Sequence, residues 1–155
     1  MSEKKSKKPI IKPEKKEKPS AHQGGLLQWK AYRTLEYMLE KPLSKHQISA
    51  PEWKLLGLVY DKGEMQATEV ALIMDVKLPL ITRNVSSLKN KKLIAIQNHS
   101  EDKRIKLITV TPKGSEKLFA IEKDVRGMLA KIFRGVSREE FTHYKIVLKK
   151  IIDNK

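Results

Sequence analysis

The sequence predicts a mainly α-helical (α+β) protein: a winged helix-turn-helix set between long N- and C-terminal helices. Three observations lead there. Apolar residues at helical spacing fill most of the chain. Two short apolar segments, 93–96 and 105–110, flank a charged turn and read as a β-hairpin. Two adjacent helical segments stand directly before that hairpin, which is the order of a helix-turn-helix followed by its wing.

The elements follow in order. Residues 1–24 hold eight lysines, three glutamates and three prolines, with almost no apolar side chains. Such a segment buries too little surface to offset its ordering entropy, so it reads as a disordered basic arm. From Gly25 the spacing of Leu26, Trp29, Tyr32, Leu35, Met38 and Leu39 predicts a long helix ending near Pro42. Ser49, with Glu52 three residues on, predicts a capping box, and Pro51 suits a first helical turn. That helix runs through Trp53, Leu55, Leu56, Leu58 and Val59 and stops at Gly63. Met65 and Gln66 predict a short strand, and Thr68 the cap of a two-turn helix. After a break at residues 75–77 a further helix spans 78–92, and the hairpin follows with a hydrophilic tip at 97–103. Thr111 and Pro112 open the next helix, whose apolar face runs from Leu118 to Phe133. Ser137 and Glu140 form a second capping box before the last helix, with Phe141, Tyr144, Leu148, Ile151 and Ile152 along it.

Composition narrows the classes of function. The 155 residues suit one globular domain, residues 25–155, with a lobe at 49–112 between terminal segments 25–48 and 113–155. No apolar run is long enough to span a membrane and no secretory signal opens the chain, so a cytoplasmic, nucleoid-associated protein is expected. Without cysteine there is no disulfide, thiolate nucleophile or thiolate metal site. His22, His46, His99 and His143 lie far apart, so a metal site would have to be assembled in three dimensions, and none is predicted. No phosphate-binding glycine loop, nucleophile elbow or close acidic pair appears, so neither an enzyme nor a cofactor is expected. The net charge is +15, of which the arm supplies only +5, so the folded part is itself basic. Such a balance favours anionic partners.

The location of that charge is more informative. From Val76 to Ser100 there is no Asp or Glu, in a chain with 18 of them, while Lys77, Arg83, Lys89, Lys91 and Lys92 all fall there. On a helix over 78–92, Ile81, Val85 and Leu88 share one side. Pro79, Arg83, Ser86, Ser87 and Asn90 share the other, flanked by Thr82 and Lys89. A short, polar, cationic face without carboxylates is what entry into a DNA major groove requires, since acids would be repelled by the phosphates on both walls. The hairpin tip adds His99, Asp102, Lys103 and Arg104. Arginine suits the strongly negative potential of a narrow minor groove, and Asp102 would hold Arg104 in place by a charge-assisted hydrogen bond. Double-stranded DNA is therefore the expected partner.

Residues 68–94 together with 101–114 resemble the MarR-type transcriptional regulators, most specifically through Thr82-Arg83, Asp102 with Arg104, and the 107–114 segment ending in Thr111-Pro-Lys-Gly114. The resemblance covers about 26–153. It implies a sequence-specific regulator in which Arg83 and its neighbours read the major groove and Arg104 the minor groove. It also implies a homodimer built by the first and last helices, and a small aromatic effector. Trp29, Tyr32, Trp53 and Tyr60 are the candidate lining of an effector pocket, with ordinary core packing as the plainer reading. Lys92 stands where the family often has glycine. An apolar stripe on the terminal helices also calls for a partner on physical grounds alone. Two other readings fit the charge: a basic architectural DNA-binding protein with little sequence preference, and a winged helix whose cationic face meets an acidic protein.

Overall fold

The computed structural model describes residues 20–154. The basic-arm reading of residues 1–24 thus lies, as far as residue 19, outside the described residues. The element order is α1 (Ala21–Lys45), α2 (Ala50–Lys62), β1 (Met65–Gln66), α3 (Ala67–Met74), α4 (Leu78–Asn90), β2 (Ile94–Asn98), β3 (Lys106–Val110), α5 (Pro112–Ile132) and α6 (Arg138–Asp153). The strands form one antiparallel sheet in the order β1-β3-β2. This is the winged helix-turn-helix expected, with α3 and α4 as the two helices and β2–β3 as the wing.

The chain divides into two compact units, residues 1–33 and 34–155. In the first, the described part is the opening of α1, where Leu26, Leu27, Trp29 and Tyr32 are all exposed. Helix α1 starts at Ala21, four residues before the expected start at Gly25, so residues 21–24 of the expected arm are helical.

The second unit holds the core. Its fully buried side chains come from α2 (Leu55, Leu56, Val59), α3 (Val70), α4 (Ile81, Leu88), β3 (Ile108) and α5 (Ile121, Val125). The buried positions of α2, α4 and α5 recur at three, four or seven residues, the spacing of one helical face.

Several boundaries differ from expectation, for identifiable reasons. Pro42 does not end α1. Proline removes one hydrogen bond, but Leu43 next to it is buried and its carbonyl accepts from Ile48 N at 3.1 Å, while Gln47 takes φ 57 to turn the chain. Thr68 is not the cap of α3. Gln66 is already extended by pairing with Leu107, and its amide donates to Glu69 Oε2 at 2.7 Å, so the helix begins at once. Helix α4 ends at Asn90, not at residue 92, because Lys92 adopts φ 62. That is the left-handed conformation glycine tolerates best, so the lysine there costs about 1 kcal/mol. The wing strand β2 runs on to Asn98, which moves the tip to residues 99–105.

The two expected capping boxes and the Thr111 cap are present. Ser49 accepts from Glu52 N, and Glu52 accepts from Ser49 N at 2.7 Å. Ser137 and Glu140 repeat the arrangement at α6. Thr111 Oγ1 accepts from Gly114 N at 3.0 Å and donates to Lys92 O at 2.8 Å, while Thr111 N donates to Leu93 O at 3.1 Å. The exit of α4 is thereby tied to the start of α5. Helix α6 has no buried residue, and Tyr144, Ile146, Val147, Ile151 and Ile152 stand exposed on it.

Candidate nucleic-acid interface

Helix α4 is positioned by three residues that break α3 from it, with Asp75 left-handed at φ 52. Lys77 and Pro79 then start the new helix, whose first turn holds no acidic residue. Its inward stripe is Ile81, Asn84, Val85 and Leu88, all buried. Asn84 was not anticipated there. It is 8% exposed, and its Nδ2 has no hydrogen-bond partner among the described residues.

The outward side carries Pro79, Thr82, Arg83, Ser86, Lys89 and Asn90, all exposed, with Lys77 exposed just before them. Thr82 folds its hydroxyl back onto Leu78 O at 3.1 Å, which shortens its profile. The Arg83 and Lys89 side chains have no hydrogen bond or ion pair within the described residues.

Ser87 is the exception among the residues placed on this face. Its hydroxyl donates inward to Glu52 Oε1, so it is not part of the outward surface. Lys91 turns the same way, its Nζ at 2.8 and 3.0 Å from the two Glu52 oxygens and 2.8 Å from Gln47 O. Glu52 is only 5% exposed. Burial alone would raise its carboxyl, but hydrogen bonds from Lys91, the Ser49 backbone and Ser87 outweigh that and hold it at about 2. Glu52 therefore anchors the C-terminal end of α4 to the start of α2 and neutralises one of the cations in the acid-free run. No local pattern signals this, because the partner lies 39 residues away in sequence.

The wing presents Asp102, Lys103 and Arg104 exposed at its tip. Asp102 does hold Arg104 by a charge-assisted hydrogen bond, but through the backbone: Oδ1 accepts from Arg104 N at 2.9 Å. This closes the turn and leaves the guanidinium without a partner among the described residues. His99 Nδ1 accepts from Glu101 N at 3.2 Å, so the neutral ring donates only through Nε2.

Of the four aromatic residues read as an effector pocket, two belong to each unit. In the second unit, Trp53 donates its indole N–H to Glu122 Oε1 at 3.0 Å, and Tyr60 meets Phe119 edge-on at 5.4 Å between centroids. Both thus pack toward α5. Trp29 and Tyr32 belong to the first unit and are exposed. A different groove, of about 930 Å3, lies between the C-terminal half of α1 and α5, with Tyr37, Met38 and Met128 beside Lys41, Lys123 and Lys131. At its edge Asp124 accepts from Lys45 at 2.8 Å and His46 at 2.9 Å, and these hydrogen bonds lower its carboxyl below the ordinary value. Among the described residues, no cluster of His, Asp and Glu could hold a metal ion, and no helix is long and apolar enough to cross a membrane.

The backbone superposes over most of its length on solved regulators. It matches a MarR mutant from E. coli complexed with operator DNA at a TM-score of 0.74, with 21% identity, over 82% of this chain and 91% of that one. The chain therefore has the winged-helix fold of these regulators. BpsR of Bordetella bronchiseptica, whose DNA binding is regulated by 6-hydroxynicotinic acid, shares the MarR-type fold at a TM-score of 0.77 and 21% identity, over 86% of this chain and 95% of that one. By sequence, the chain is 22% identical over 116 residues to the HTH-type transcriptional repressor IacR of Pseudomonas putida, covering 75% of this chain and 70% of IacR. It is 26% identical over 93 residues to YdgJ of Bacillus subtilis, an uncharacterized HTH-type transcriptional regulator, covering 60% of this chain and 57% of YdgJ. No family sequence profile matches the chain.

Proposed function

We propose that this protein is a sequence-specific, double-stranded DNA-binding transcriptional regulator that acts as a homodimer. The observation that carries the reading is the exposed, carboxylate-free face of α4, with Arg83, which has no partner among the described residues, at its centre, beside a wing whose Arg104 backbone is fixed by Asp102. Arg83 would pair with a base edge in the major groove, Thr82, Ser86 and Asn90 would contact bases around it, Lys77 and Lys89 would contact phosphates, and Arg104 with Lys103 and His99 would enter the adjacent minor groove. The similarity to a MarR–operator complex supports the same orientation. A cytoplasmic, nucleoid-associated location follows from such a role.

Dimerisation is supported by the exposed apolar side chains of α1 and α6, which a second copy would cover. An effector role is supported by the BpsR similarity and by the groove beside Tyr37, Met38 and Met128, whose lysine rim suits a small anionic aromatic compound. The eight lysines of residues 1–24 would add sequence-independent phosphate attraction.

Selection of bound duplexes from a random-sequence library tests the reading. A two-fold symmetric motif is expected, with half-site centres about one helical turn apart, roughly 34–36 Å. A protein that enriches no motif, while still retaining DNA, would be a basic architectural protein instead. An enriched motif without symmetry would contradict the dimer.

A further inference from the structure

Between α4 and the wing lies a cleft of about 430 Å3, lined by Thr82, Val85 and Lys89 of α4, Ile96 of β2, and Lys106 and Ile108 of β3. Thr82, Val85 and Lys89 are three and four residues apart, so they share one side of the helix, the side turned to the sheet. Val85 and Ile108 are buried and form the floor, with half-covered Ile96 beside them. Lys89 stands on one wall and Lys106 on the other, and no carboxylate lines the cleft. Lys106 donates to Asn98 Oδ1 at 2.6 Å, across the pair that ends the wing ladder. That contact is to a neutral amide, so it orients the ammonium without neutralising it, and two of its three donors are left over.

We propose that this cleft seats the DNA strand that separates the two grooves: one phosphate between Lys89 and Lys106, and a deoxyribose face on Ile96 and Val85. The inference rests on the proposed mode of DNA binding. Adjacent major and minor grooves are divided by a single sugar–phosphate strand. A helix in one groove and a wing tip in the other must straddle that strand, and this cleft is the space between them. Its chemistry matches the strand, apolar below and cationic at both edges. It also assigns a role to Lys106 and Ile96, which lie outside the base-reading surface. Contacts to phosphate fix register and add affinity without reading sequence.

The test uses the full chain, a duplex recovered from the random library, and a scrambled duplex of equal length. Lys89→Met and Lys106→Met each are expected to flatten the slope of log affinity against log salt by about 0.9, and the double variant by about 1.8. Both duplexes should be weakened by a similar factor, so the preference between them stays as in wild type. Duplexes with single neutral methylphosphonate linkages supply the second measurement. One position per half-site should weaken wild type and cost the double variant nothing more. A salt slope unchanged in the double variant overturns the cleft assignment, as does a double variant that loses as much as wild type at every methylphosphonate position. A wild-type protein with no preference between the two duplexes overturns the parent reading instead, which separates the two failures.

Discussion

Replacing Gly114 by alanine is expected to destabilise the fold by about 3 kcal/mol or more, lowering the melting temperature by about 10 °C. An added Cβ would lie 2.0 Å from Leu93 O and 2.9 Å from both Leu93 C and Val110 Cγ1. The first two are backbone atoms and cannot rotate away. Leu93 O already accepts from Thr111 N, and Thr111 Oγ1 joins Lys92 O to Gly114 N, so the whole junction would have to open. That junction aims α4 relative to α5, so DNA affinity should fall along with stability. Gly127→Ala on the same helix is the control. Nothing lies within 4 Å of its added Cβ, and alanine is the better helix former, so the melting temperature should hold or rise. Thermal melts followed by circular dichroism compare the two, and equal stability of the two variants would contradict the packing described.

Glu52→Gln carries the second large effect, a loss of about 3 kcal/mol at neutral pH. The carboxyl is held at about 2 in the folded chain against an ordinary 4.5, a difference worth about 3 kcal/mol. The depressed value means that the stabilisation is complete above about pH 4.5 and is lost as pH falls toward 2. The amide variant keeps the shape but not the charge, and it leaves Lys91 without its counter-ion. Urea unfolding at several pH values reads this directly. The gap between wild type and variant should be constant from about pH 5 upward and close in acid. A gap that does not change with pH would show that the charge contributes nothing.

Much of this architecture was legible in the sequence because it depends on local signals. The Ser49 and Ser137 capping boxes, Thr111 before Pro112, and the apolar stripes of α2, α4 and α5 each act within a few residues. The outward face of α4 and the wing tip were legible for the same reason, since exposure along a helix follows its period. What escaped was set by distant partners. Ser87 looked outward by angle alone, but Glu52 draws it in from another helix. Thr68 looked like a cap, but the pairing of Gln66 with Leu107 had already fixed where the strand ended. Pro42 looked like a stop, but burial of Leu43 carries α1 past it. Lys92 takes the left-handed turn that glycine would serve better, a demand of the α4–β2 junction that its own side chain does not announce.

We propose that α4 reads base sequence through Arg83. It is tested most directly by measuring the affinities of wild type and Arg83→Ala for a selected duplex and for a scrambled one at fixed salt. Arg83 is exposed and has no partner among the described residues, so its loss should leave folding intact. The preference for the selected duplex is expected to fall about 10- to 100-fold, while binding to the scrambled duplex weakens only as expected for one lost charge. An Arg83→Ala protein that keeps the wild-type preference would contradict it.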